Sequence, residues 1–417
     1  MRKAAGQHQK SKAAGIHQGQ FSAVLCGREA SEGKASAGSL AEDSSFRPLF
    51  SRQLQKGFCA FSLALGILVS AAAAGGNSGL SGQLAVSAQS TIGEAAADDF
   101  FANFSLTAQA AYVEVNRSQH NGPGTTGGTV DLKTNNAALP PAFGGGEVRV
   151  LRDMGGAARG RESQQLSMLI RSADGKVIVV DGGVAADSAH LLESIKSLGG
   201  YVDAWLITHP QGDHVGALAD ILQNHMGEID IRNVYYNFFD FDWYKEVDEG
   251  ESGIVWVLME GLEKLPEDRV HGDMRRGSSV TLSDQLSFRV LNDPQQISGA
   301  YTVNDSGLMY DITLAGKHLI ILGDMGPDGG DRLLQAGVFD GLTADYVQMS
   351  HHGQHGVTQQ VYDRLKPKAC IWPAPAWLYD AQPGNPSGFD TYQTRAWIDE
   401  LGVKENYGVK NGDVLLK

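Results

Sequence analysis

The stretch VDAWLITHPQGDH, residues 202–214, decides how this chain is read. Its first seven residues are mostly apolar and read as a buried strand. His209 follows at once. The breaker-rich Pro210, Gln211 and Gly212 then fold the chain back, and His214 opens a helix expected to run to Asn224. A strand end that feeds a loop projects polar side chains into a crevice held by rigid elements, where sites are usually built. Imidazoles and a carboxylate delivered together suit zinc, manganese or iron.

Working outward, the arrangement recurs twice. HLIILGD, residues 318–324, sets Asp324 directly after a buried strand, with Gly323 keeping the turn tight. ADYVQMSHH, residues 344–352, sets His351 and His352 directly after another. Taken singly, each piece has a plain reading: a turn histidine before proline, a helix N-cap, a surface loop. Three strands that each end in ligand-type residues are not what twelve scattered histidines would give, and together they predict a metal site.

Around these strands, 147–152, 165–171, 176–180, 285–291 and 307–314 also read as strands. So does 369–372. Helical spacing appears over 185–198, after Asp328, over 358–365 and over 391–401. Runs of strands punctuated by single helices predict an α/β protein, an αββα sandwich of two mixed sheets with external helices. This domain is expected to span residues 147–417, long enough for one large core.

The remainder reads differently. Residues 1–57 carry nine Lys/Arg against four Asp/Glu, a local balance of +5 that leaves −19 for the rest of a chain of net charge −14. General affinity for nucleic acid is therefore not expected from charge. A basic, poorly patterned extension precedes the apolar run FCAFSLALGILVSAAAA at 58–74, a signal-peptide pattern. Residues 58–76 are expected to be a cleaved signal, with an uncleaved anchor or a buried helix as alternatives. The long segment ahead of them would be explained by a start codon placed too far upstream. Residues 77–146 read as a flexible, low-complexity linker. The expected location is extracytoplasmic, secreted or membrane-anchored. Cys26, Cys59 and Cys370 show no CxxC spacing, so neither a thiolate metal site nor a disulfide framework is expected.

The stretches VIVVDGG, THPQGDHVGAL, NDSGLMYDITLAGKHLIILGDM, QMSHHGQHGV and YDRLKPKACIW, which together span most of 147–417, resemble the metallo-β-lactamase superfamily. They are most similar to the metallo-hydrolase domain of the ComEC competence proteins of bacteria. The resemblance implies roles by position. His209, Asp213 and His214 match the first histidine, the aspartate and the last histidine of the HxHxDH motif. Asp324 matches a carboxylate that can bridge two metals, and one of His351 and His352 matches the last histidine ligand, with His351 favoured as nearer the strand end. Asp181 matches an aspartate that supports the site from behind.

One departure matters. Gln211 stands where the family has its second histidine, and Asn304-Asp305-Ser306 occupies the region of an intermediate histidine. One firmly bound ion is therefore expected, Zn2+ first with Mn2+ or Fe as alternatives, and a second that is weak or absent. Asp213 is expected to orient water, and the spare histidine of the pair (His352) or His355 to protonate a leaving group. Asn304 or Ser306 would bond a substrate oxygen, or only shape a turn. The expected reaction is hydrolysis of phosphodiesters, small or polymeric. Ester, lactone or amide hydrolysis is the alternative, and a non-catalytic metal-binding module closed by Gln211 a further one. An aromatic insert at 235–276 reads either as a substrate-covering flap or as a packing segment, and Trp372, Trp377 and Tyr379 as a possible lining of the same mouth.

Overall fold

Short apolar runs with alternating destinations make the strands of this protein. In the computed structural model, which describes residues 131–134, 142–158, 160 and 162–417, the strand Val177–Asp181 is buried throughout. Ile178 and Val180 enter a core between two sheets, while Val177 and Val179 face outward into a layer beneath helices. A strand buried on both faces needs no polar alternation, which is why KVIVVD reads as a continuous apolar run.

The strands in chain order are β1 (Glu147–Val150), β2 (Ser167–Arg171), β3 (Val177–Asp181), β4 (Tyr201–Val202), β5 (Ala204–Leu206), β6 (Asp230–Ile231), β7 (Val234–Tyr235) and β8 (Val270–His271), followed by β9 (Ser279–Thr281), β10 (Leu286–Val290), β11 (Tyr310–Leu314), β12 (Lys317–Ile321), β13 (Tyr346–Gln348), β14 (Ala369–Trp372), β15 (Glu405–Gly408) and β16 (Val414–Leu416). One seven-stranded sheet has the order β16-β1-β2-β3-β5-β7-β8 and the other β15-β14-β13-β12-β11-β10-β9. Each is half antiparallel and half parallel: β3, β5, β7 and β8 run together in the first, and β12 to β15 in the second.

The helices that matter here are α1 (Met154–Ala158), α2 (Ser188–Ser197), α3 (Gly212–Asn224), α4 (Phe241–Val247), α5 (Ser252–Leu262), α6 (Thr302–Asp305) and α7 (Pro327–Gln335). The outer apolar layer of the first sheet joins Val179 and Trp205 to Leu191, Leu218 and Leu258 from α2, α3 and α5. That of the second joins Ile320 and Val347 to Leu333 of α7 and to Val361 and Ile398. Phe288, Tyr310, Ile312 and Ile321 meet Val150, Met168, Ile170 and Leu206 between the sheets. This is the αββα sandwich that the patterning predicts.

Several boundaries differ. Residues 202–208 do not form one strand: Asp203 accepts hydrogen bonds from Val177 N (2.9 Å) and Arg232 Nη1 (2.8 Å), and the chain divides there between the small β4–β6 sheet and the large one. Residues 185–187 form a single 3-10 turn before α2. The end of the expected linker also takes part in the fold. Phe143 is fully buried between the sheets, and Lys133 exchanges backbone hydrogen bonds with Asn406 and Gly408. One large aromatic ring among small residues is enough to dock such a segment. The expectations for 1–130, the apolar run at 58–76 included, lie outside the described residues. No described helix is long and apolar enough to cross a membrane.

Two contacts hold the first helical layer. A Cβ on Gly216 of α3 would lie 2.5 Å from Ala185 N, so the helix meets the 3-10 turn through bare backbone. Gly216→Ala is expected to cost about 1–3 kcal/mol, read as a lower urea midpoint at unchanged m-value. His190 on α2 bridges Asp187 (Nδ1, 3.3 Å) and Asp413 (Nε2, 3.0 Å), tying the C-terminal strand to the sheet. Hydrogen bonds to Asp187 and then Asp413 raise its pKa to about 10. A raised histidine stabilises fully below its unfolded pKa of about 6.5 and loses that effect as pH climbs through its folded value. The destabilisation by His190→Gln should thus be largest below about pH 6.5 and vanish above pH 10; a gap independent of pH would show that the bridge carries no charge.

Candidate metal centre

The parallel strands end on one edge, and the ligand-type residues stand there, in the crevice outside the carboxyl ends of the strands. Asp181 closes β3 in a left-handed conformation, φ 58°, which turns its buried carboxylate back under the loop after β5. There Oδ1 accepts Thr208 N at 2.7 Å, and Oδ2 accepts Thr208 Oγ1 at 2.7 Å and His214 Nδ1 at 2.7 Å. With its Nδ1–H spent on Asp181, His214 presents the Nε2 lone pair to the crevice. His352 is set by the same logic: Nδ1 faces the Pro373 carbonyl at 3.0 Å, which can only accept, so Nε2 is again the free nitrogen.

Both Nε2 atoms converge on two carboxylates. His214 Nε2 is 3.2 Å from Asp324 Oδ2, and His352 Nε2 is 3.3 Å from both Asp324 Oδ2 and Asp213 Oδ2. The ligand atoms of Asp213, His214, Asp324 and His352 all lie within 4.8 Å of one another. His214 Nε2, His352 Nε2 and Asp324 Oδ1 are buried with no hydrogen-bond partner among the described residues. Buried polar atoms are rarely left so, and two imidazole lone pairs beside two carboxylates are the donors a divalent ion such as zinc takes. Without a cation the charges must balance among themselves. Burial opposes every one of these charges, yet the histidines hold Asp324 and Asp213 well below the carboxylate range. In turn Asp324 and Asp213 outweigh burial to raise His214 and to bring His352 to about 9. Protons and a metal ion compete for the same lone pairs.

A model of the metallo-β-lactamase superfamily matches residues 160–369, half of the chain, and spans this whole constellation. The protein belongs to the metallo-β-lactamase superfamily. ComE operon protein 3 of Bacillus subtilis is 28% identical over 172 residues, which cover 41% of this chain and 20% of that protein; the shared part is thus about a fifth of the relative's length. Among solved structures, the metallo-β-lactamase fold protein YhfI of Bacillus subtilis has a TM-score of 0.41 at 12% identity, covering 65% of this chain and 99% of its own. Zn(2+)-bound PqqB of Methylobacterium extorquens has a TM-score of 0.39 at 14% identity, with 65% and 99% covered.

The remaining expected residues divide. In this superfamily member the second histidine of the 351–352 pair, not the first, joins the carboxylates. His351 and His352 both take left-handed backbone (φ 50° and 55°), and this turn carries the His352 ring inward. His351 Nε2 stays 3.8 Å from Asp324 and lies 3.3 Å from Gln354 Nε2, and burial lowers it to about 4. The preference for His351 as ligand and for His352 as spare proton donor is therefore reversed by the geometry. His355 is held by Asp390, which accepts its backbone N–H at 2.8 Å and faces Nδ1 at 3.2 Å. His209 does not face Asp324; its Nε2 meets Gln211 Oε1 at 2.9 Å. Asn304 donates to that same oxygen at 3.1 Å, and Ser306 Oγ donates to Val303 O at 2.6 Å, so neither side chain is offered to a substrate oxygen.

Other residues escape a reading by sequence. Asp305 accepts Gly326 N at 2.8 Å, pinning α6 to the start of α7 directly after Asp324; burial raises its carboxyl to about 6. Gln164 Nε2 donates to Asp213 Oδ2 at 3.2 Å. Glu251 accepts Gly212 N at 3.0 Å where α3 begins, and burial, then the Asp213 charge, raise it to about 7. Nothing in spacing marks these residues. The insert is in large part a packing segment, since Tyr244 and Val255 are buried against Val303 and Leu258 sits beneath α3. Trp372 and Tyr379 belong to the core layer rather than to a mouth, while Trp377 is exposed and donates to Glu162 O at 2.9 Å.

Proposed function

We propose that this protein is a metal-dependent hydrolase of phosphodiester bonds. The observation that carries the hydrolase reading is the convergence of His214 Nε2, His352 Nε2 and Asp324 Oδ1, all buried and unsatisfied, beside a second carboxylate. Asp213, His214, Asp324 and His352 would hold the ion. A divalent cation there supplies Lewis acidity and lowers the pKa of water. Asp213 is the group placed to orient that water: its side chain is 17% exposed where those of His214 and His352 are closed off. Gln164 and His352 fix its Oδ2, and its Oδ1 lies 3.9 Å from His214 Nε2. His351, with Nε2 3.8 Å from Asp324 Oδ2, and Gln354, which it contacts, would be the side chains to meet the leaving group.

The substrate class rests on the resemblance to the metallo-hydrolase domain of the ComEC competence proteins, with which the likeness to ComE operon protein 3 agrees, and on Gln211 standing where the superfamily motif has its second histidine. Acidic overall charge favours small or uncharged-flanked diesters over long nucleic acid. An extracytoplasmic location, with 58–76 as signal or anchor, and a role connected to competence are part of the same proposal. The test is metal-dependent cleavage of bis-p-nitrophenyl phosphate by the full chain, beside p-nitrophenyl acetate and an N-acyl lactone, with zinc and manganese supplied separately. Diester cleavage abolished by a chelator and restored by metal supports the proposal. Turnover of the ester or lactone alone moves the activity to that class, and no turnover of any substrate by metal-loaded protein overturns the catalytic reading.

A further inference from the structure

Resting on the metal-binding reading above, we infer that Gln211 and Asn304 fill the place of a second ion, so that this protein holds one metal per chain. The two positions at which the sequence departs from the superfamily pattern are bonded to each other. Gln211 Oε1 receives Asn304 Nδ2 at 3.1 Å and faces His209 Nε2 at 2.9 Å, and His209, Gln211 and Asn304 are all buried. His209 Nδ1 faces Thr208 Oγ1 at 3.1 Å, a hydroxyl that donates to Asp181. The Gln211 amide stands in front of Nε2, and both ring nitrogens of His209 are thus engaged by neighbours. Its ring lies 4.1 Å from that of His214, so His209 is beside the metal centre but turned into the amide pair.

The pair is built into the backbone. Leu308 N donates to Thr208 O at 2.8 Å and Gly307 N to Asn304 O at 3.1 Å, which lays the end of α6 over the His209 turn. A Cβ on Gly307 would stand 3.3 Å from His209 Cβ, the close approach that brings Asn304 into reach of Gln211. Asp305 clamps the same short helix to Gly326, two residues beyond Asp324. The amides are thus held by the segment that carries the metal-binding carboxylate.

Charge points the same way. Asp213 and Asp324 supply two negative charges, which balance one divalent ion. Asp181 is committed to Thr208 and His214, Glu251 to Gly212 and Asp305 to Gly326. A second ion would face neutral amides and a histidine whose Nε2 is already taken up by Gln211, and burying an uncompensated charge is costly.

The experiment is metal analysis of the full chain after equilibrium dialysis against zinc, with cobalt(II) absorption spectra as a second readout. Wild type should retain one ion per chain. The double variant Gln211→His/Asn304→His, and separately the near-isosteric Gln211→Glu, should take up a second, with the cobalt ligand-field absorption changing in step. Circular dichroism checks that each variant folds, and Gln211→Glu keeps the test open if the double variant does not. Two ions in wild type, or folded variants that stay at one, would overturn the inference. No ion in wild type would instead sink the metal reading on which it rests.

Discussion

Asp324→Ala is expected to strip the protein of its ion and to lower turnover by more than about a hundredfold, the upper end of what losing mere support for a metal ligand costs. Asp324 Oδ2 is the shared point of the cluster, within 3.2 Å of His214 Nε2 and 3.3 Å of His352 Nε2. Its removal takes away the carboxylate that both imidazoles share and half of the negative charge that faces a divalent ion, so affinity should drop steeply. The effect should also be visible without any substrate. An ion that binds only the folded state adds about 2.7 kcal/mol at a hundred times its Kd, or roughly 5–10 °C in Tm for a domain of this size. Zinc should raise the Tm of wild type by that amount and a chelator should reverse it, whereas Asp324→Ala should melt alike in both. A zinc-dependent Tm that survives the substitution would place the ion elsewhere.

Asp181→Asn carries the second large effect, although Asp181 is not among the four converging ligands. Asparagine tolerates the left-handed backbone at this position, so the turn should persist. The aspartate accepts three hydrogen bonds, from Thr208 N, Thr208 Oγ1 and His214 Nδ1. An amide has one oxygen and one NH2, so one edge of it must now donate. If it donates to His214 Nδ1, the imidazole proton moves to Nε2 and the lone pair aimed at the ion is lost. If the oxygen turns to His214 instead, the NH2 group meets the Thr208 N–H. Metal affinity should fall about 10–100-fold, measured by competition with a chromophoric chelator, with the fold intact by circular dichroism. Unchanged affinity would mean that Asp181 only shapes the turn. The two variants also differ in kind, since excess zinc should rescue Asp181→Asn but not Asp324→Ala.

The legible part of the site was its outline. His209, Asp213, Asp324 and the histidine pair stand out because each follows a run of apolar residues that has to be a buried strand, and parallel strands deliver their ends to one edge. The resemblance then supplied Asp181. Gln164, Glu251 and Asp305 were not legible, because they reach the site from loops and helices distant in sequence, through single hydrogen bonds that no periodicity encodes. Phe143 is not legible either, since a lone ring in a Gly/Pro stretch gives no pattern, yet its ring is fully buried in the inter-sheet core.

Alternation and strand ends, both local properties of the chain, determined the αββα architecture and the edge on which chemistry sits. The choice between His351 and His352 was left to the tertiary structure. Two consecutive left-handed residues and the Pro373 carbonyl behind the second ring decide which imidazole points inward. The fate of His209 was decided in the same way. Its sequence position marks it as a ligand, but the amide that claims its Nε2 is fixed by Asn304, 93 residues away from Gln211. A lone pair is aimed by whatever accepts the hydrogen on the other side of the ring, and that partner is brought there only by the folded chain.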